Sequence, residues 1–300
     1  MGKIVVVGSS NTDLVVRAAR MPEAGETILG DQFMMTAGGK GANQAVAARR
    51  LGGDVTFIAK VGCDMFGDKA IEGYKAEGLD TSTILRDEKA PSGVALITVD
   101  SNAENCIVVA PGANNELSTS DIDALRSHIE SADYLLLQLE VPMCVVEHAA
   151  AIAHAAGVKV VLNPAPAAAI AEHLLAQLEL ITPNRTEIQL LTGVAVTDLE
   201  SAEQAAKVLL DKGVQRVVVT LGSMGSLVCD GARFIHVPAR KVTAIDTTAA
   251  GDTFNAGLCV ALCEGRTLEE AVRFATAASA IAVTRLGAQA SVPYRHEIEE

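Results

Sequence analysis

No run in the 300-residue chain reaches the ~18 consecutive apolar positions of a membrane-crossing helix, and Met1-Gly2-Lys3 leads directly into Ile4-Val5-Val6-Val7 instead of a secretory leader. A cytoplasmic protein without membrane contact is the expectation. Basic residues are also scarce, with 24 Lys and Arg against 37 Asp and Glu, a formal charge of −13. This excludes a nonspecific nucleic-acid or anionic-membrane surface, and any polyanionic ligand has to be held by local geometry. The six cysteines form no Cys-x-x-Cys pair and no Cys/His cluster of zinc spacing, so they read as reduced and structural. The six histidines are scattered and give no support to a histidine-based mechanism. The strand at Lys3 to Val7 is followed by Gly8-Ser9-Ser10-Asn11-Thr12-Asp13, which is not a GxGxxG fingerprint, and Ala37-Gly38-Gly39-Lys40-Gly41-Ala42-Asn43-Gln44 lacks the Gly-Lys-Ser/Thr ending of a P-loop. Dinucleotide and Walker-type sites are disfavoured.

What is present is an alternation of apolar strands and helical stretches without repeat, linker or low-complexity segment. It predicts one doubly wound, mostly parallel α/β domain over residues 1–300, with helices such as Met65 to Glu77, Ser120 to Ser131 and Cys144 to Ala156. Short alternating runs at Leu14 to Arg17, Thr27 to Leu29 and Gln32 to Met35, then at Gly93 to Val99 and Asn105 to Ala110, break the rhythm. They predict a small antiparallel β lid of four or five strands, inserted discontinuously at about 14–36 and 92–110. Such a sheet leaves a face and an edge uncovered, which favours a homodimer joined through the lid.

The chemistry concentrates at Asp246-Thr247-Thr248-Ala249-Ala250-Gly251-Asp252. The bare turn lets backbone N–H groups converge at the start of a helix, where the helix dipole adds positive potential for an anion. An acid beside such a hole suits a general base, although Asp246 or Asp252 as a plain helix cap is the alternative. With an ordinary carboxyl pKa near ~3.9, Asp252 would accept a proton only late in a phosphoryl transfer. Asn11 and Asp13, two apart on an extended segment, suit neighbouring hydroxyls of a polyol, or else a local turn. Lys40 and Asn43 add polar contacts at a glycine-rich turn that admits close backbone approach. Glu140, Asn184 with Glu187, and Thr220-Leu221-Gly222-Ser223-Met224-Gly225 follow predicted strands at the edge where parallel sheets bind ligands. Helix caps at Asn184 and Glu187 and a hairpin turn at Gly222 to Gly225 are the structural alternatives.

Together, Gly38-Gly39-Lys40-Gly41-Ala42-Asn43 and Asp246 to Asp252 resemble the two signatures of the PfkB sugar-kinase family. Asn11-Thr12-Asp13, Leu139-Glu140, Thr182 to Glu187 and Thr220 to Ser223 extend the resemblance over essentially the whole chain.

The resemblance implies ATP-dependent phosphorylation of D-ribose at its 5-hydroxyl. It implies Asp252 as catalytic base, with the N–H groups of Ala249, Ala250, Gly251 and Asp252 around the transferring phosphoryl group. Asn11, Asp13, Gly39, Lys40, Gly41, Asn43 and Glu140 would contact sugar; Asn184, Thr220, Gly222, Ser223, Gly225, Gly251 and Thr276 would contact nucleotide. Met224 stands where relatives often carry a basic residue. Glu187 would act on Mg²⁺ through water, and a monovalent cation, K⁺, would lie between Asp246 and Thr248 on one side and Ala282, Arg285, Gly287 and Ser291 on the other. A large, weakly hydrated cation suits one carboxylate and several neutral oxygens, with Arg285 giving its carbonyl. The carboxylates of the sugar pocket favour a neutral sugar over a sugar phosphate. Another neutral-sugar or nucleoside kinase is the alternative within the family. A binding-only sugar sensor and a nucleotide-dependent oxidoreductase are the alternatives outside it.

Overall fold

The computed structural model describes residues 2–102, 104–231 and 233–298. Ala103, in the second expected lid segment, and both ends of the expected 1–300 unit fall outside the described residues. β1 (Lys3–Val7) is a continuous apolar run because both of its faces are covered: Ile4 and Val6 enter one core layer, Val5 and Val7 the other. Each such side chain contributes about 1.5–3 kcal/mol on burial. The chain then leaves the main sheet through β2 (Asn11–Ala18) and β3 (Gly30–Gly38) and returns by α1 (Lys40–Arg50) to β4 (Asp54–Gly62), α2 (Met65–Ala76) and β5 (Ile84–Asp87). A second excursion makes β6 (Gly93–Val99) and β7 (Asn105–Ala110). Alternation resumes with α3 (Thr119–Ala124), α4 (Arg126–Glu130), β8 (Tyr134–Leu137), α5 (Met143–Ala155), β9 (Lys159–Leu162), α6 (Glu172–Leu175) and β10 (Leu180–Ile181). The chain continues through α7 (Arg185–Thr192), α8 (Leu199–Asp211), β11 (Arg216–Thr220), β12 (Ser226–Asp230) and β13 (Arg233–Val237) to α9 (Ala250–Cys263) and α10 (Leu268–Ala282).

The main sheet runs β13-β12-β11-β10-β9-β8-β1-β4-β5, parallel except for the antiparallel β12 and β13. Residues of α1, α9 and α10 bury one face; those of α5 and α8 bury the other. Sequence order reverses at β1, which lies between β4 and β8, and such a switch point opens a crevice at the carboxyl ends of the strands. The helices over that crevice pack closely through small residues: a Cβ on Gly257 of α9 would lie 3.2 Å from the Ala275 Cα of α10.

The second sheet has the order β3-β2-β6-β7. It is antiparallel within each hairpin but parallel between β2 and β6, because both strands continue outward from exits of the parallel sheet. Two expectations are corrected. Thr27 to Leu29 form no strand, since the β2 ladder ends at Ala18 opposite Gly30, and Leu29 is 93% exposed. The expected helix Ser120 to Ser131 is divided into α3 and α4 at Leu125, whose backbone (φ −107°, ψ 10°) is not helical. No helix among the described residues is long and apolar enough to cross a membrane.

Candidate active site

The turn before α9 is built on Ala249, which has φ 58° and is the only non-glycine residue with positive φ among those described. An alanine there costs conformational energy, of the order of 1 kcal/mol, and the strain aims the following amides outward. The Ala250 N–H is taken by the Thr247 carbonyl at 3.2 Å, and Thr253 N–H donates to the Ala249 carbonyl. Among the described residues, the N–H groups of Gly251 and Asp252 donate to no protein acceptor. A Cβ at Gly251 would meet nothing within 4 Å, so open space lies over these donors. Counting Ala249, whose N–H likewise has no acceptor among the described residues, the bare turn leaves three unbonded amides at the positive end of a 14-residue helix, where an anion hole was expected.

Asp252 is 6% exposed and its carboxylate is held on both oxygens: Asn43 Nδ2 donates to Oδ2 at 2.9 Å and Gln44 Nε2 to Oδ1 at 2.9 Å. Its carboxyl does not have the ordinary acidity expected from sequence. Burial pushes its pKa up, and the nearby Lys40 charge and the two amide donors only partly oppose this, so the group is a stronger base than an exposed aspartate. Lys40 is half-buried. Burial works against its ammonium, but the carboxylates of Asp252, Glu140, Glu187 and Asp13 outweigh that and raise its pKa.

The residues expected to meet sugar collect on the β1 side of Asp252. Asn11 follows the β1 exit, where its Oδ1 accepts from Asn114 Nδ2 at 2.7 Å; Asn114 also accepts from Ser10 N–H. Asp13 lies against Gly38, where an added Cβ would stand 2.3 Å from both carboxylate oxygens. Burial, with Glu140 and Asp252 nearby, pushes the Asp13 carboxyl up to about 6. Glu140 Oε2 accepts from Ser9 Oγ at 2.6 Å and from the Lys40 N–H at 3.0 Å, so it fixes the start of α1. Gly39 has φ 88°, and Gly41 packs its Cα on Gly8, leaving 2.6 Å between a would-be Cβ and the Gly8 backbone. Asn43 Oδ1 is buried without a partner among the described residues, an acceptor that a bound hydroxyl would satisfy.

On the other side of Asp252 lies a cavity of about 860 Å³. Lys40, Asn184, Glu187, Thr220, Gly222, Ser223, Gly225, Thr276 and Ala249 to Asp252 all line it. Asn184 and Glu187 do cap α7, each bonding the other's backbone or side chain, and Gly222 to Gly225 do turn the β11–β12 hairpin. Both structural alternatives are therefore realised in residues that also face the cavity. The Thr276 hydroxyl donates to the Val272 carbonyl at 2.8 Å.

Asp246 joins the two segments expected around a cation. Its Oδ1 accepts from Thr248 N–H and Oγ1, and its Oδ2 from Gly287 N–H at 2.9 Å. Burial opposes its ionisation, but these bonds hold its pKa below the usual value. Arg285 commits its guanidinium to Glu297, and Ser291 Oγ donates to the Ala288 carbonyl.

Sequence reasoning assigned no role to Gln44, Gln138, Asn163, Ser9 or Asn114. The available signal was Gln138, a polar side chain closing the run Leu135-Leu136-Leu137; it is fully buried and donates to Gln44.

The chain matches the pfkB family carbohydrate kinase over residues 1–295. It is 46% identical over 297 residues to a ribokinase of Haemophilus influenzae, covering 99% of this chain and 97% of that one. It is 37% identical over 298 residues to a deoxyribokinase of Salmonella typhi, at 99% and 97% coverage. Its fold superimposes on an Arabidopsis thaliana ribokinase complexed with ribose and ATP with a TM-score of 0.92, at 34% identity and with 99% and 97% of the two chains covered. Family match and full-length identity agree with the site's geometry, and the chain belongs to the pfkB family of carbohydrate kinases.

Proposed function

We propose that the chain transfers the γ-phosphoryl group of ATP to the 5-hydroxyl of D-ribose, giving D-ribose 5-phosphate and ADP. One observation carries the reading: Asp252 sits at the junction of the polar sugar side and the 860 Å³ cavity, beside the unbonded N–H groups of Ala249, Gly251 and its own backbone and the half-buried Lys40. Asp252 would take the hydroxyl proton as the phosphoryl group moves, and the Gly251 and Asp252 amides would receive its developing charge. The residues assigned to sugar, Asn11, Asp13, Gly39, Lys40, Gly41, Asn43 and Glu140, present oxygen and nitrogen partners for a polyol. Carboxylates at Asp13 and Glu140 disfavour an acceptor already carrying phosphate. The residues from Asn184 to Thr276 along the cavity would hold the nucleotide.

Glu187 fits an indirect Mg²⁺ contact, since its carboxylate faces the cavity and retains acceptor capacity beyond the two bonds from Asn184. Mg²⁺ would neutralise phosphate charge there. The Asp246 region fits a monovalent cation: one carboxylate already bridges both segments, and with its guanidinium paired to Glu297, Arg285 has its carbonyl to offer. K⁺ would order the loops flanking the anion hole.

The chain forms one unit whose lid comprises β2, β3, β6 and β7, and the lid joins two copies as a homodimer. Phe33, Leu96 and Val108, 64%, 55% and 67% exposed, share the lid face opposite Asp13. A strictly monomeric, fully active species in analytical ultracentrifugation would remove the dimer. The reaction is tested by ADP release with Mg-ATP and a panel of D-ribose, 2-deoxyribose, hexoses and nucleosides. Highest kcat/KM on D-ribose is expected, and ATP turnover indifferent to every sugar would overturn the reading.

A further inference from the structure

We propose that Gln44 is a positioning residue for Asp252 and that Gln138 sets the orientation of its amide, the two forming a clamp that points the free lone pairs of the base at the acceptor hydroxyl. The clamp rests on the kinase reading above.

Gln44 and Gln138 are both fully buried, and Asn163 is 7% exposed. The two hydrogens of Gln44 Nε2 go to Asp252 Oδ1 at 2.9 Å and Asn163 Oδ1 at 3.0 Å, while its Oε1 accepts from Gln138 Nε2 at 2.5 Å. Turning the Gln44 amide over would set its oxygen against the Asp252 carboxylate and its N–H against the Gln138 donor. Between side chains this buried both contacts are repulsive, which favours the observed orientation. Gln138 is itself placed at a cost. Its Oε1 is buried without a partner among the described residues and lies against Gly8, where a Cβ would come within 2.1 Å of it. The same amide delivers its N–H to Gln44.

With Asn43 on Oδ2 and Gln44 on Oδ1, the plane of the Asp252 carboxylate is held by a hydrogen bond at each oxygen. Asp252 lines the cavity, and each of its oxygens keeps acceptor capacity beyond the one bond from its amide donor. The donors also favour the ionised form that accepts a proton, joining the charge of Lys40 against burial and the charge of Glu140; Asp13 and Glu187 are coupled to Asp252 in the same way as Glu140.

The test compares wild type, Gln44→Leu, Gln138→Glu and Gln138→Met in steady-state ribose phosphorylation from pH 5 to 9, with crystal structures of the folded variants. Gln44→Leu is expected to lower kcat by roughly 10²-fold, the loss typical of a misplaced reacting group. KM for sugar should stay near wild type, the acid limb of the kcat profile should move to higher pH, and the Asp252 carboxylate should rotate. Gln138→Glu supplies an acceptor that turns the Gln44 oxygen toward Asp252, so it should move the acid limb the same way and lose more activity than Gln138→Met. A folded Gln44→Leu with wild-type kcat, an unmoved acid limb, KM rising in step with the kcat loss, or an unmoved Asp252 would overturn the clamp. Should Gln44→Leu not fold, identical kcat and pH profiles for the two Gln138 variants would overturn it. Absence of wild-type activity on any sugar would instead overturn the kinase reading, and the clamp would then stand or fall on the position of Asp252 in the variant crystals.

Discussion

Asn43 Nδ2 donates to Asp252 Oδ2 over 2.9 Å, tying the first turn of α1 to the first turn of α9 across 209 positions of sequence. The glycine-rich turn at the start of α1 and the bare turn before α9 are thus joined directly at Asp252. Asn43 keeps its buried Oδ1 unpartnered, so the same side chain that holds the base retains a place for a hydroxyl.

Replacing the base tests that arrangement directly. Asp252→Asn removes the proton acceptor and gives one of the donors, Asn43 or Gln44, another N–H to face. We expect kcat to fall by ~10²–10⁴, the usual contribution of a general base, while sugar affinity measured by calorimetry is largely retained. Turnover at the wild-type level would rule out Asp252 as the base.

Asp13 should set a pH dependence of both affinity and stability. Its carboxyl is pushed up to about 6 from the ordinary 3.8, so the folded chain holds the proton more tightly than the unfolded chain. Stability linked to this group is therefore greatest below pH 4 and is lost as pH rises to about 6. Asp13→Asn should stabilise the ligand-free protein above pH 6 by at most about 3 kcal/mol, with the gain vanishing toward pH 4 in denaturant titrations. The ionised carboxylate is the form that accepts from two hydroxyls. Wild-type kcat/KM for sugar should accordingly fall as pH drops through about 6, and Asp13→Asn should remove the part of that fall owed to Asp13, leaving the acid limb set by Asp252.

The element order was legible because each buried strand is an apolar run and each intervening helix has its own period. The ligand edge was legible because polar residues follow the strands at Glu140, Asn184 and Thr220. What sequence does not carry is partnership. Thr27 to Leu29 alternate as well as Gln32 to Met35 do, yet only the latter lie opposite β2. The parallel pairing of β2 with β6 follows from the direction in which two distant strands leave the main sheet. Gln44 looks like any polar helix residue, because its value comes from Gln138, Asn163 and Asp252, each from another element. The raised basicity of Asp252 escaped for the same reason, since burial of a carboxylate is a tertiary fact.

Two glycines of the site should respond oppositely to a methyl group. At Gly41 a Cβ would stand 2.6 Å from the Gly8 backbone, which cannot yield without separating α1 from β1; Gly41→Ala should lower Tm and stability by more than 1 kcal/mol, as backbone overpacking does. At Gly251 the same atom meets nothing within 4 Å and lies in the first turn of α9, where alanine is favoured by up to ~1 kcal/mol. Gly251→Ala should keep or raise Tm while lowering kcat, because the methyl occupies space over the free amides. Differential scanning fluorimetry beside steady-state kinetics separates the two, and a Gly251→Ala variant with unchanged kcat would place the phosphoryl group elsewhere.

A monovalent cation at Asp246 should act on catalysis without touching substrate. Asp246 accepts from Thr248 just before the anion-hole turn and from Gly287 in the loop after α10, so the carboxylate already spans both segments that a cation would order. Its pKa is held below the usual carboxylate range, so charge at this position persists across the working pH range. Ala249, three residues on, carries the positive φ on which the direction of the Gly251 and Asp252 amides depends, and loosening the loop would let that strained turn relax. Ribose phosphorylation in Tris buffer at constant ionic strength should therefore be faster with K⁺ than with Na⁺, and slowest with tetramethylammonium. The difference should lie in kcat or sugar KM and should shrink in Asp246→Ala, which loses the carboxylate. Equal rates in all three salts would remove the cation from the mechanism and leave Asp246 as a hydrogen-bonded brace between Thr248 and Gly287.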